Sequence, residues 1–355
     1  MDNDKNKAKA FCFSRVDTDR GVIIPDWAET IPDRDDVFVK YGPANTFPSE
    51  LRDLSRQSVS ASSVINGTCE YFKGLKYEFN ITQPSLSEET FNRDGETAKD
   101  VIDAAVRDYL TFGGFALHAI YNRLGELAEV YCIPLEFLRT NETRSKFWFS
   151  KKWSKYSTKS IEYIALKDRE EETSAIYYYS NSGRLQTYPI SAFTPVLYDM
   201  YSEGVSGKYV AKTLDSGISA RYVISLPNAQ NLTDEQKSDI EKGIKAKFTG
   251  LENAGEFMLY FNNGSEGLEV EKIDSDDTGQ TFNTISDSAS LRIYKSLHAT
   301  PALFGDPSHS SGFNSNEYDE ALKLFKKMTL KPLAEVIERG FNAVLGKNSI
   351  KITVE

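Results

Sequence analysis

The chain has 355 residues, 40% apolar and 12% aromatic, with 19 Tyr and 21 Phe, a composition that supports a sizeable core and excludes wholesale disorder. Its formal net charge of −10 is opposite in sign to that of a protein gripping nucleic-acid phosphates, so tight non-specific DNA binding is disfavoured. Three cysteines without CxxC spacing, Cys12, Cys69 and Cys132, give no signal of a disulfide framework or a cysteine zinc site. No apolar run approaches the roughly 18 to 20 residues of a membrane span and the N-terminus has no apolar signal core, so a soluble, unexported protein is expected.

From the N-terminus, Pro25, Pro32, Pro43 and Pro48 punctuate a charged stretch that reads as an extended arm over residues 1–48. Apolar residues from Leu51 to Phe72 recur at helical spacing, with small residues over Ser60 to Ser63, and "YEF" then suggests a strand. A firmer helix is predicted from about Thr97 to Phe112, stopped by Gly113 and Gly114. The period then changes to two. "FALHAIYNRLGELAEVYCIP" predicts a hairpin turning at Gly125 and "SAIYYYSNSGRLQTYPI" a second turning at Gly183. Between them, "TRSKFWFSKKWSKYSTKS" interleaves basic residues with Trp148 and Trp153; it could stack bases, but a two-faced sheet is the better reading.

Residues 207 to 222 carry a weaker helical pattern, and "YVISLP" reads as a strand. Thr233 and Gln236 form a capping box opening a further helix, after which "EFMLYFNNGSEGLEVEKI" predicts a hairpin. Helix returns over residues 281 to 299, with Arg292 and Lys295 on its polar face. The last helix, from about Asn316 to Leu345, would span roughly 45 Å and must bend at Pro332, which has no N–H to give. The class is α+β rather than alternating βαβ.

Catalytic signals are weak. The three histidines, His118, His298 and His309, are not spaced as a metal site, and "GVSGKY" at 204 to 209 is too short for a phosphate loop and has Tyr209 where a hydroxyl ligand is needed. "SHSSG" places Ser and His adjacent in one loop, where a triad needs separate rigid supports. Asp274, Asp276 and Asp277 could hold a divalent ion, although a solvated turn explains them better. Catalytic residues, cofactor and metal are all expected to be none.

The C-terminal third runs as helix, "ATPALFGD", a Ser and Gly loop, "NSNEYDEALKLF", "LKPLAEVIERGFNAVLG" and "SIKITVE". That order resembles the portal proteins of tailed double-stranded DNA phages, and "LTFGGFALHAIYNRLGELAEVYCIPLEFL" resembles the family's helix, Gly corner and hairpin. The resemblance implies a portal-like subunit with a mixed α/β wing, a helical stem, a small α/β clip and a long kinked C-terminal helix, but no C-terminal crown. It implies an N-terminal arm at 1–48, a wing at 49–206, stem helices at 207–222 and 277–300 around a clip at 223–276, a tunnel loop at 301–314, and a kinked helix with return strand at 315–355. The implied channel-facing residues are Phe304, Gly305, His309, Ser310, Gly312, Phe313 and Asn314, with the helix kink at Pro332.

What the resemblance implies for function is a non-enzymatic homo-oligomer, a twelve-subunit ring at the capsid vertex of the virion, assembled in the host cytoplasm. Double-stranded DNA would pass through it without sequence specificity, and the terminase large subunit, a head-tail adaptor, and the major capsid and scaffold proteins would dock on it, with no membrane involved. Two other readings stay open on the residues alone: a metal-dependent enzyme acting on nucleic acid through Asp274, Asp276 and Asp277, and a head or tail component that closes no ring.

Overall fold

The computed structural model describes residues 10–12, 26–32, 37–153, 159–183, 186–215, 221–226, 233, 235–236, 238–239, 257–261, 269–273, 278–305 and 315–354. Two compact units emerge, one of residues 1–21 with 204–287 and the other of residues 22–203 with 288–355.

The larger unit begins with β2 (Glu29–Thr30) and β3 (Lys40–Tyr41), which pair antiparallel. Residues 26–48 are therefore not a free arm. Val39, Tyr41 and Phe47 are buried, because these three apolar side chains, set among charges, have a core to enter. Arg139 holds this segment from below: it is fully buried, donates to Asn45 Oδ1 at 2.7 Å and Asn45 O at 2.8 Å, and lies over the rings of Tyr41 and Trp153. Burial lowers its pKa to about 10, so the guanidinium stays charged at neutral pH and needs those acceptors. Tyr41 stacks on Tyr188 with centroids 4.2 Å apart, and Glu29 accepts the N–H groups of Thr187 and Tyr188.

The predicted helix over 49 to 72 is two helices, α1 (Phe47–Gln57) and α2 (Val59–Lys73). Ser58 divides them in an extended conformation, and its side chain accepts from Ala61 N, capping α2. The strand foreseen at "YEF" is β4 (Lys76–Phe79). Helix α3 (Ala98–Phe112) opens with a capping box between Thr97 and Asp100 and closes on Gly113 at φ +87°, a left-handed position that glycine takes without penalty.

A six-stranded sheet follows, made of β5 (Gly114–Tyr121), β6 (Leu127–Ile133), β7 (Leu138–Thr140), β8 (Lys146–Phe149), β9 (Ile161–Ala165) and β10 (Ser174–Ser180), in the order β6-β5-β10-β9-β8-β7. The first predicted hairpin is β5 and β6, with Gly125 at φ +80°. The second is corrected: β10 turns at Gly183, but residues 186–190 form no returning strand. Both edges of β10 are already taken, by β5 and β9, and Pro189 could offer no ladder N–H. Phe147 and Trp148 are buried, and Trp153 Nε1 donates to Phe137 O. Among the described residues of this stretch, Phe147 and Trp148 therefore serve the sheet core.

The chain leaves this unit along α4 (Leu197–Asp215) and returns along α5 (Thr278–Ser296). "GVSGKY" lies within α4 and forms no loop. The C-terminal segment is α6 (Ser315–Phe325), a π-helical turn over Lys326–Leu330 and α7 (Lys331–Leu345). Pro332 is the second residue of α7 and cannot bond back to the carbonyl of Met328, so a widened turn lies where the normal ladder would fail. On the sheet, α7 closes tightly: a Cβ at Gly340 would stand 2.5 Å from Phe115 Cζ. Finally β14 (Ile350–Thr353) pairs antiparallel with β4, held also by Asn342, whose amide exchanges bonds of 2.8 and 2.9 Å with Ile350.

The smaller unit contains a four-stranded sheet in the order β1-β12-β11-β13, from β1 (Ala10–Cys12), β11 (Arg221–Leu226), β12 (Phe257–Phe261) and β13 (Glu269–Ile273). The predicted hairpin over 256 to 273 is corrected, because β12 and β13 do not pair. Each pairs with β11, β12 parallel and β13 antiparallel. "FMLYF" carries large apolar residues at every position, as suits a strand paired on both sides rather than an edge. The capping box is present, with Thr233 and Gln236 exchanging side-chain to backbone bonds; the rest of the helix predicted there lies outside the described residues.

Replacing Gly340 by Ala is expected to lower stability by roughly 1–3 kcal/mol through overpacking against Phe115, seen as a lower urea midpoint with an unchanged slope.

Candidate functional site at the helix-to-loop corner

The region where α2, α4 and α5 meet, and where α5 turns toward α6, lies wholly within the larger unit. It is built around carboxylates. Glu203 accepts from Ser60 Oγ at 2.7 Å, Ser60 N at 3.2 Å and Ser58 Oγ, and Ser60 Oγ also lies 2.9 Å from Ser290 Oγ. A negative group thus sits at the N-terminus of α2, where unsatisfied N–H groups favour it. The small residues noted at Ser60 to Ser63 let α4 and α5 approach this close. One turn earlier in α4, Asp199 Oδ1 accepts from Arg292 Nε at 2.8 Å and Nη2 at 2.5 Å. Arg292 lies on the polar face predicted for this helix, and its partner is the neighbouring helix.

Beyond α5, His298 adopts φ +54° and its N–H donates to Lys295 O, so this histidine ends a helix. Ala299 N donates to Tyr294 O, and Thr329 Oγ1 to Leu297 O at 3.0 Å. A 3-10 turn over Pro301–Phe304 then stops at Gly305, φ +88°. Phe304 packs among Tyr294, Tyr71 and Phe325, with ring centroids 5.7, 6.2 and 5.6 Å away. A Cβ on Gly67 would be 2.4 Å from its Cδ1. Tyr71 OH reaches Leu303 O at 3.3 Å and Tyr318 OH at 3.2 Å.

Phe304 thus holds the end of the 3-10 turn against α2 and α6, where four aromatic rings bury apolar area together. Gly305 supplies the left-handed exit from the turn. His309, Ser310, Gly312, Phe313 and Asn314 lie outside the described residues, as do Asp274, Asp276 and Asp277. Pro332 is placed after the π-helical turn, within α7. Glu203, Asp199, Gly67 and Tyr71 were missed by motif and period, because each acts through a partner more than 80 residues away in sequence.

Chemically the corner is inert. Burial and the bond to Tyr318 raise the Tyr71 pKa to about 12, so its hydroxyl stays neutral at neutral pH. Among the described residues no three metal-ligating side chains cluster, and no helix is long and apolar enough to cross a membrane. His118, the one described histidine in the sheet, is half-buried against Tyr163, and desolvation lowers its pKa to about 4, as expected of a structural imidazole.

Comparison with known proteins follows this geometry. A family model described as phage portal protein matches residues 90–355. Among solved structures, the chain resembles one from the neck of a native gene transfer agent particle computed with C12 symmetry, at TM-score 0.58 and 14% identity, covering 93% of this chain and 86% of that one. It also resembles an HK97 family phage portal protein from Corynebacterium diphtheriae, at TM-score 0.55 and 13% identity, covering 87% and 96%. A third match comes from the virion of a native gene transfer agent particle, at TM-score 0.57 and 14% identity, covering 92% and 86%. Among curated proteins none matches the chain by sequence.

Phe304→Ala is expected to lower stability by about 1–3 kcal/mol, measured by urea unfolding; an unchanged midpoint would deny the anchoring role.

Proposed function

The chain belongs to the phage portal protein family, and from that premise we propose that it works as the ring at one vertex of a capsid, through which double-stranded DNA enters during packaging and leaves on ejection. The family is one of structural proteins rather than enzymes. The single observation that carries the reading is the family match over 266 of 355 residues (355 − 90 + 1 = 266), which spans the sheet, both crossing helices and the C-terminal strand. The solved relatives with C12 symmetry support a twelve-subunit ring.

In this reading the six-stranded sheet and its helices form the wing, α4 and α5 the stem, and the sheet of β11, β12 and β13 the clip. Terminase and later a head-tail adaptor dock on the clip, while capsid and scaffold proteins meet the wing. Residues 301–314 form the tunnel loop, with Phe304 anchoring its start to α2 and α6. Energy for translocation comes from a separate ATP-driven motor, since neither motif nor geometry here offers a phosphate loop. A chain of net charge −10 gives a duplex few cations to hold, which keeps barriers to sliding low. The ring works by confinement.

Deletion of Ser308 to Gly312 tests the loop directly. Rings of wild-type subunit number should still assemble, and packaged DNA per particle should fall several-fold; normal packaging by such rings would remove the loop from the mechanism.

A further inference from the structure

One cleft of the larger unit carries a cluster of arginines. Arg56, in the last turn of α1, and Arg107, in α3, line a cleft of about 410 Å³ together with Arg52 and Asn66. Both are exposed. Arg107 Nη1 donates to Asn66 Oδ1 at 2.7 Å, and among the described residues neither Arg56 nor Arg107 has an acidic partner. Arg52, by contrast, is occupied by Glu136 and Asp53. The other acid of the cleft is Asp108, which accepts from Leu135 N at 2.8 Å and whose carboxyl burial raises to a pKa of about 7. The charge of Arg107 works against that rise. Three arginines against two acids leave this cleft a local positive excess in a chain where 52 acidic residues outnumber 42 basic ones.

The opposite charge gathers at the turn between β9 and β10. Glu170, Glu171 and Glu172 are exposed there, and the one arginine of that turn, Arg169, lies over the Tyr121 ring at 3.4 Å with its Nε donating to Glu172 O. Tyr121 N donates to Thr173 O at 2.8 Å, which fixes this turn at the end of β5. Arg107 lies near the other end, roughly one and a half turns before Gly113 leads into that strand. Eight residues of β5 separate the two ends by about 26 Å. Patches of opposite sign at opposite ends of one strand cannot meet within a chain. They suit a head-to-tail contact, in which one face of a subunit meets a different face of the next.

We propose that the Arg56 and Arg107 cleft receives the Glu170–Glu171 turn of a second copy of this chain, forming a charged contact between neighbouring subunits of the ring. The contact rests on the ring reading given above. DNA suits the cleft less well, because it is a bounded concavity walled partly by Glu136 and Asp108 rather than an extended basic track.

The test compares the full-length chain with R56E/R107E, with E170K/E171K and with all four changes combined, reading ring fraction by native mass spectrometry and fold by thermal melting. Each paired reversal should lower the ring fraction about tenfold at low salt, and the combined variant should recover most of it, as charge complementarity restored in the opposite sense requires. Should a reversal unfold the chain, the neutral pairs R56Q/R107Q and E170Q/E171Q replace it and should flatten the salt dependence of assembly. Wild-type rings indifferent to these changes, or a combined variant that does not recover, overturn the contact while leaving the ring. Variants that assemble normally but lose binding of a duplex DNA probe overturn it in favour of nucleic acid. A wild-type chain that forms no ring removes the portal reading and this contact with it.

Discussion

The carboxylate of Glu203 at the N-terminus of α2 is the constraint on which the larger unit's two crossing helices depend. The chain leaves this unit along α4 and returns along α5, and holding them here needs directional bonds as well as apolar contact. Glu203 provides them by taking Ser58, Ser60 and the backbone of α2 at once, while Ser290 joins from α5. The exposed Asp199 and Arg292 pair adds orientation more than energy, since ion pairs in water contribute little. Together they set where α5 ends, and hence where the Phe304 corner begins.

Much of the fold was legible because local signals agreed with the final environment. Thr97, Gly113 and Gly125 stand in the capping and turning positions their residue types announce. The misreadings share a cause, which is that pairing is decided by what else reaches a strand. Tyr188 and Pro189 could have completed a hairpin with β10, but β5 and β9 occupy both of its edges. Likewise β12 and β13 are neighbours in sequence yet flank β11. Ser58 shows a smaller version of the same limit: one capping side chain divides an apolar period that reads as continuous. For the candidate site, the packing of Phe304 was not legible. Nothing in "ATPALFGD" specifies that Gly67 leaves room for a ring.

Charge organises the molecule at two scales. Buried charge is satisfied singly, as with Arg139, whose four hydrogen bonds and two ring contacts stand in for lost water. Surface charge is left unbalanced, with a net negative total and local excesses of each sign at the two ends of the sheet. A subunit of this kind repels its like in random encounters and associates in the one orientation that brings unlike patches together, which favours closure of a ring over open aggregation.

Negative-stain electron microscopy of the purified full-length chain, with native mass spectrometry on the same sample, is the most direct test of this account. The proposed function predicts a rotationally symmetric ring of integral subunit number, twelve on the C12 symmetry of the similar gene transfer agent neck, with a central hole wide enough for duplex DNA, roughly 20 Å. Particles without a hole, at the mass of one or two chains under every condition including the presence of scaffold protein, would contradict it.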